Sequence, residues 1–149
     1  MRIIFLRKEY LSLLPSMIAS LFSANGVAAV WESVWPIDSC QGYDIKASCH
    51  ASRQSLSGIT QDWSIADGQW LVFSDMTNNA SGGAVFLQQG AEFSLSPENE
   101  TGMTLFANNT VSGEYNNGGA IFAKENSTLN LTNVIFSDNV AGGYGGAIY

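Results

Sequence analysis

The residues with the widest chemical repertoire lie close together. His50, the only histidine of the chain, follows Cys49 directly, and Cys40 stands nine residues earlier. Hydrolysis by a serine nucleophile needs a base beside the hydroxyl. The one available base abuts a cysteine, and no Gly-Asp-Ser-Gly turn presents a serine to it. Cys40, Cys49 and His50 offer a metal three ligands with no fourth, whereas closed zinc sites take four. The two thiols enclose a short loop, and in an exported chain they form one disulfide of ~2–3 kcal/mol by the loop-entropy model. Asp62, Asp67, Asp75 and Asp138 supply carboxylates for glycoside cleavage, which takes a pair across one groove. Acids on a solvated face account for all four. Lys124 is the sole base in the repeats described below, so a lyase lacks its cation. Gly142-Gly143-Tyr144-Gly145-Gly146 opens like a calcium-binding coil, but Ala147 stands where the liganding Asp belongs. These residues predict no enzyme, no cofactor and no metal.

The scaffold that carries them is small and weakly charged. Of 149 residues, 46% are hydrophobic and 13% charged, with a formal charge of −7. This composition suits one folded domain behind a processed leader. Residues 1–29 read as a signal peptide. Arg2, Arg7 and Lys8 precede an apolar run from Leu11 to Phe22, and Val27-Ala28-Ala29 sets cleavage after Ala29. The mature chain then keeps Lys46, Arg53 and Lys124 against twelve acids, a net of −9. Such a surface has no pull toward nucleic acid or anionic lipid.

The second half repeats itself. Phe73 to Phe86, Phe106 to Phe122 and Phe136 to Tyr149 each run from Phe through an Asn-rich turn to Gly-Gly-Ala, an aliphatic residue and an aromatic one. The glycine pairs are Gly82-Gly83, Gly118-Gly119 and Gly145-Gly146, spaced 36 and then 27 residues apart. Between them lie short alternating or β-branched segments, Phe93–Leu95, Ala120–Phe122, Leu129–Thr132 and Val134–Phe136, which have the period and composition of strands. About three short strands per period describe one coil of a parallel β-helix, whose inward side chains stack into a continuous core. The glycine pairs suit corners of positive φ or close backbone approach. Phe106 and Asn109, like Phe136 and Asn139, are three apart, so a bend between them seats Phe in the core and Asn at a corner. There Asn tolerates the left-handed conformation and bonds neighbouring backbone. Asn117-Gly118 is also a hairpin signal, so a sandwich of antiparallel hairpins is the competing fold.

Phe-x-x-Asn at 106–109 and 136–139, with Gly-Gly-Ala-Ile at 118–121 and 145–148, resembles the repeat of chlamydial polymorphic outer-membrane proteins. That repeat builds right-handed parallel β-helix passengers of autotransporters, and the whole chain resembles the amino-terminal part of an enterobacterial member. The resemblance implies an all-β, right-handed solenoid displayed at the outer-membrane surface, carried there by a C-terminal barrel and acting in adhesion or biofilm formation. Its partner would be a host or bacterial surface ligand, protein or glycan. The first unit departs from the pattern with Met76 in place of Asn, and the chain reaches Tyr149 in mid-repeat without the strands of a barrel.

The expected organisation is a signal peptide over 1–29, a Trp-rich cap over 30–70 held by Cys40–Cys49, and incomplete β-helix repeats over 71–149. Outward loops such as Val111–Asn117 would bind. An open last coil predicts self-association of the isolated chain. Two other functions fit the same sequence: a polysaccharide-acting enzyme whose site lies in further C-terminal coils, and a truncated frame with no function of its own.

Overall fold

The computed structural model describes residues 2–3 and 38–149. The leader, its cleavage point at Ala29, and Trp31 and Trp35 of the expected cap lie outside them. Among the described residues there are strands and no α-helix. Every strand pairing is parallel. The hairpin alternative is therefore absent from this region.

The strands follow one another around coils. β1 (Arg2–Ile3) stands apart and is treated last. The first coil holds β2 (Asp44–Ile45), β3 (Cys49–His50) and β4 (Gln54–Leu56). The second holds β5 (Thr60–Ile65), β6 (Trp70–Ser74), β7 (Thr77–Asn78) and β8 (Val85–Leu87). The third repeats that order as β9 (Glu92–Pro97), β10 (Met103–Ala107), β11 (Thr110–Val111) and β12 (Ile121–Ala123). In the fourth, β13 (Thr128–Ser137) serves two faces, β14 (Val140–Ala141) follows, and Ile148 bridges Ile121.

Four stacks result. β2, β5, β9 and the first half of β13 form one face; β3, β6, β10 and the second half of β13 form the next. β7, β11 and β14 make a short corner stack, and β4, β8, β12 and Ile148 close the coil. The two-residue corner strands raise the number per full coil above the three read from sequence. They are too short to show an alternating pattern. The ladder also begins further upstream than the Gly-Gly-Ala repeat. From Asp44 onward the stretch expected as a cap is coil, with Trp63 and Trp70 inside strands.

The core is a column of aromatic and aliphatic side chains. Phe73, Phe106 and Phe136 occupy equivalent register positions on adjacent strands. Their rings stack with centroids 4.7 and 5.1 Å apart. Trp63 and Phe93 meet Phe73 edge-on from the opposite face, at 5.8 and 6.5 Å. Phe73, Phe93 and Phe106 are fully buried, and each contributes ~1.5–3 kcal/mol by leaving water. β5 alternates as a one-sided strand should, with Gln61, Trp63 and Ile65 buried and Thr60 and Asp62 exposed. β6 is different: its first four residues are all buried, the pattern of a strand covered on both faces. β1 pairs in parallel with the free edge of β13, Ile3 opposite Val134.

Candidate binding surface

The corner after each core Phe is built by two consecutive residues with separate tasks. Asp75, Asn108 and Asp138 carry the left-handed backbone, with φ of 57°, 54° and 54°. The expected Asn residues come immediately after, and they are tie-bars rather than bends. Asn109 is fully buried. Its Nδ2 donates to the Phe73 carbonyl at 3.0 Å and to Asn139 Oδ1 at 2.9 Å, while its Oδ1 accepts from the Met76 amide at 3.3 Å. Asn139 repeats this one coil later, with Nδ2 donating to the Phe106 carbonyl and Oδ1 accepting from the Asn109 amide. The bend lies between Phe and Asn, but the left-handed backbone belongs to the residue before the Asn. An Asp tolerates the left-handed region nearly as well as an Asn, so the motif hid which of the two turned the chain. Met76 also gains a reason: the first coil has no corner strand, so an Asn there would have no matching corner to tie.

The two glycines of each pair also divide the work. Gly82, Gly118 and Gly145 have φ near +70°. Gly83 and Gly119 are the points of closest approach between coils. A Cβ on Gly83 would penetrate the Gly119 carbonyl oxygen, and one on Gly119 that of Gly146. Backbone amides of these corners donate to the next coil, Gly118 to Tyr144 at 2.9 Å and Gly119 to Gly145 at 3.0 Å.

Cys40 and Cys49 are bonded to each other, with Cα atoms 5.0 Å apart. The bridge fastens residues 38–40 beside β3, where His50 donates to the Asp38 carbonyl and Cys40 to that of His50, both at 2.9 Å. His50 Nε2 lies 3.5 Å from Ser74 Oγ. Burial pushes the imidazole below its ordinary pKa, and the Asp75 charge partly offsets this. This is the nearest approach to a nucleophile–base pair among the described residues. The amide after Ser74, that of Asp75, is already donated to the Ala107 carbonyl, so it cannot hold an oxyanion. The acids are scattered: Asp62 on the outside of β5, Asp67 in a turn, Asp75 and Asp138 at corners. Among the described residues, no three His, Cys, Asp or Glu side chains gather to hold a metal.

A row of aromatic rings lies on the outside of the closing face. Phe86, Phe122 and Tyr149 stack there, with centroids 5.3 and 5.6 Å apart. Tyr144 extends the row from the neighbouring loop at 6.3 Å, and Lys124 Nζ sits 5.6 Å from the Phe86 ring centre. Beside this row runs a groove of about 580 Å³ lined by Gln88, Gln89, Lys124 and Glu125 together with Phe122 and Tyr149. Next to it the loop 112–117 raises Tyr115, which is 84% exposed. Asn116 braces that loop by donating to the Asn79 and Ser112 carbonyls.

The chain matches the Chlamydia polymorphic membrane protein (Chlamydia_PMP) repeat over residues 104–124 and 133–149. Each PMP repeat match starts in the face that holds the core Phe and runs through the corner to the closing face, so it includes the Asn tie-bar and the glycine pair. Residues 71–87 hold the same succession of elements, with Met76 in the Asn place. The chain is also 91% identical, over all 149 of its residues, to the "Probable autotransporter YfaL" of Escherichia coli (strain K12). It spans 11% of that relative's length. No solved structure matches.

Proposed function

We propose that this chain is a stretch of surface-displayed autotransporter passenger, exported through the inner membrane and held at the outer-membrane surface, where it acts as a non-catalytic scaffold for adhesion and biofilm formation. Its likeness over its whole length to an autotransporter supports the location. Parallel crossovers follow a right-handed path, which is the hand this reading gives the coil. The observation that carries the scaffold reading is the repeated tie between layers, Asn109 to the coil before it and Asn139 to Asn109's own. Layers joined in this way extend a rod without needing a closed globule, and each layer can offer loops to the outside. The leader over 1–29 supplies the export signal in this reading.

Cells making the full-length protein, with and without residues 38–149, test this. Surface labelling of the intact protein and a fall in biofilm on deletion are expected. Retention inside the cell, or unchanged biofilm, would overturn it. Turnover of polymeric uronates or neutral glycans by the chain would replace the scaffold with an enzyme.

A further inference from the structure

We infer that the groove beside Phe122 and Tyr149 is a subsite for a neutral oligosaccharide; this rests on the adhesive reading above and names the chemistry of its ligand.

The groove gathers polar side chains that no neighbouring layer uses. Several side chains elsewhere on the coil are bonded to their neighbours. Asn130 donates to Glu92 and Ser94, Arg53 to the Ser81 and Gly82 carbonyls, and Lys46 pairs with Asp44 and Glu98. Gln88, Gln89 and Glu125 make no side-chain hydrogen bond among the described residues. Two amides and a carboxylate thus face one concavity with their donors and acceptors unspent. A sugar hydroxyl both donates and accepts, as a Gln amide does. The aromatic row supplies apolar surface for the C–H faces of the sugar. Tyr144 is 74% exposed, and a tyrosine offers an apolar body with a polar tip.

Three other ligand classes fit less well. A polyanion would meet one cation, Lys124, with Glu125 beside it, on a chain of strong negative charge. An apolar peptide would bury the unspent amides without partners, at ~1–3 kcal/mol each. A folded protein needs roughly 800 Å² of matching surface on each side, whereas this is a groove of the volume that small ligands occupy. The polar lining, single cation and open tyrosines together select an uncharged glycan.

The experiment uses the 149-residue chain on an array of neutral hexose oligosaccharides, their sialylated counterparts and heparin, followed by calorimetry with the best neutral binder. Binding to neutral oligosaccharides, weakened at least tenfold by Gln88→Ala and by Tyr144→Ala, is expected. Asp62→Ala, on the outside of β5 and not among the groove's lining residues, should leave binding unchanged, and all three variants should keep the parent melting profile. Preference for sialylated chains or heparin, no neutral binder, or Gln88→Ala and Tyr144→Ala without effect would overturn the inference. Cell adhesion that persists with no glycan bound would sink this subsite and spare the adhesive reading. Glycan binding by a chain that plays no part in adhesion would do the reverse.

Discussion

Asn139 donates its side-chain amide to the main-chain carbonyl of Phe106, a residue one full coil earlier, at 2.9 Å. The bond joins a corner to the layer beneath it and leaves the Phe106 ring free to stack in the core. The same arrangement links Asn109 to Phe73. A polar side chain is thereby buried at a seam without an unpaired atom.

Asn109→Ala strips this seam. It leaves the Phe73 carbonyl and the Met76 amide without their Asn109 partners and removes a donor from Asn139 Oδ1. The expected cost is ~2–4 kcal/mol, from unmade bonds to buried groups. Denaturant melts of the parent and variant should show the midpoint fall. Asn139→Ala, at a half-buried position, should cost less.

The glycine pairs make a prediction about kind as well as size. Gly119→Ala would drive a methyl into the Gly146 carbonyl, which is backbone and cannot step aside. Gly58 also has positive φ, 61°, but a Cβ there meets nothing within 4 Å. Gly58→Ala should therefore cost only the left-handed penalty, ~1–2 kcal/mol. Gly119→Ala should cost well above that and should remove amide protection at Gly118 and Ala120. Equal losses in the two variants would contradict the assignment.

Thr104 lies in the core column with its hydroxyl buried and unbonded among the described residues. Its register neighbours are Leu71 and Val134. Thr104→Val keeps the shape and removes the orphaned hydroxyl, so it should stabilise the chain by ~1–2 kcal/mol. A higher melting temperature with an unchanged spectrum is the expected readout.

His50 gives a pH signature. Burial favours its neutral form, which holds its folded pKa below the unfolded 6.5 despite Asp75. Between those two values the unfolded chain binds the extra proton. The stability that His50 contributes is thus present above pH 6.5 and is lost as pH falls through its folded pKa. Melting temperatures taken from pH 7.5 downward should drop across that window. His50→Gln should flatten this part of the profile.

The core column was legible in the sequence because Phe73, Phe106 and Phe136 each open a unit that passes through an Asn-rich turn to a Gly-Gly-Ala corner. Asp75, Asn108 and Asp138 were not separable from the Asn beside two of them, since either residue can turn the chain. The first coil escaped notice because β2 to β4 reach their corner without a glycine pair, and Arg53 covers the Ser81 and Gly82 carbonyls instead. The groove was invisible for a different reason. Gln88, Lys124 and Tyr149 belong to three coils, and only the stacking brings them to one place. Spacing along the chain reports the rungs, not what neighbouring rungs assemble between them.

The coils do not share one length. Phe73 and Phe106 are 33 residues apart, Phe106 and Phe136 only 30, yet the rings remain in line. The longer interval holds the turn 98–102 between β9 and β10, which the continuous β13 omits, and loop 112–117 offsets part of this from within the shorter one. An architecture that counts contacts instead of residues can gain or lose a few amino acids at its rim and keep its axis true. Its exterior can therefore change length at a loop while the stacked rings inside keep their register.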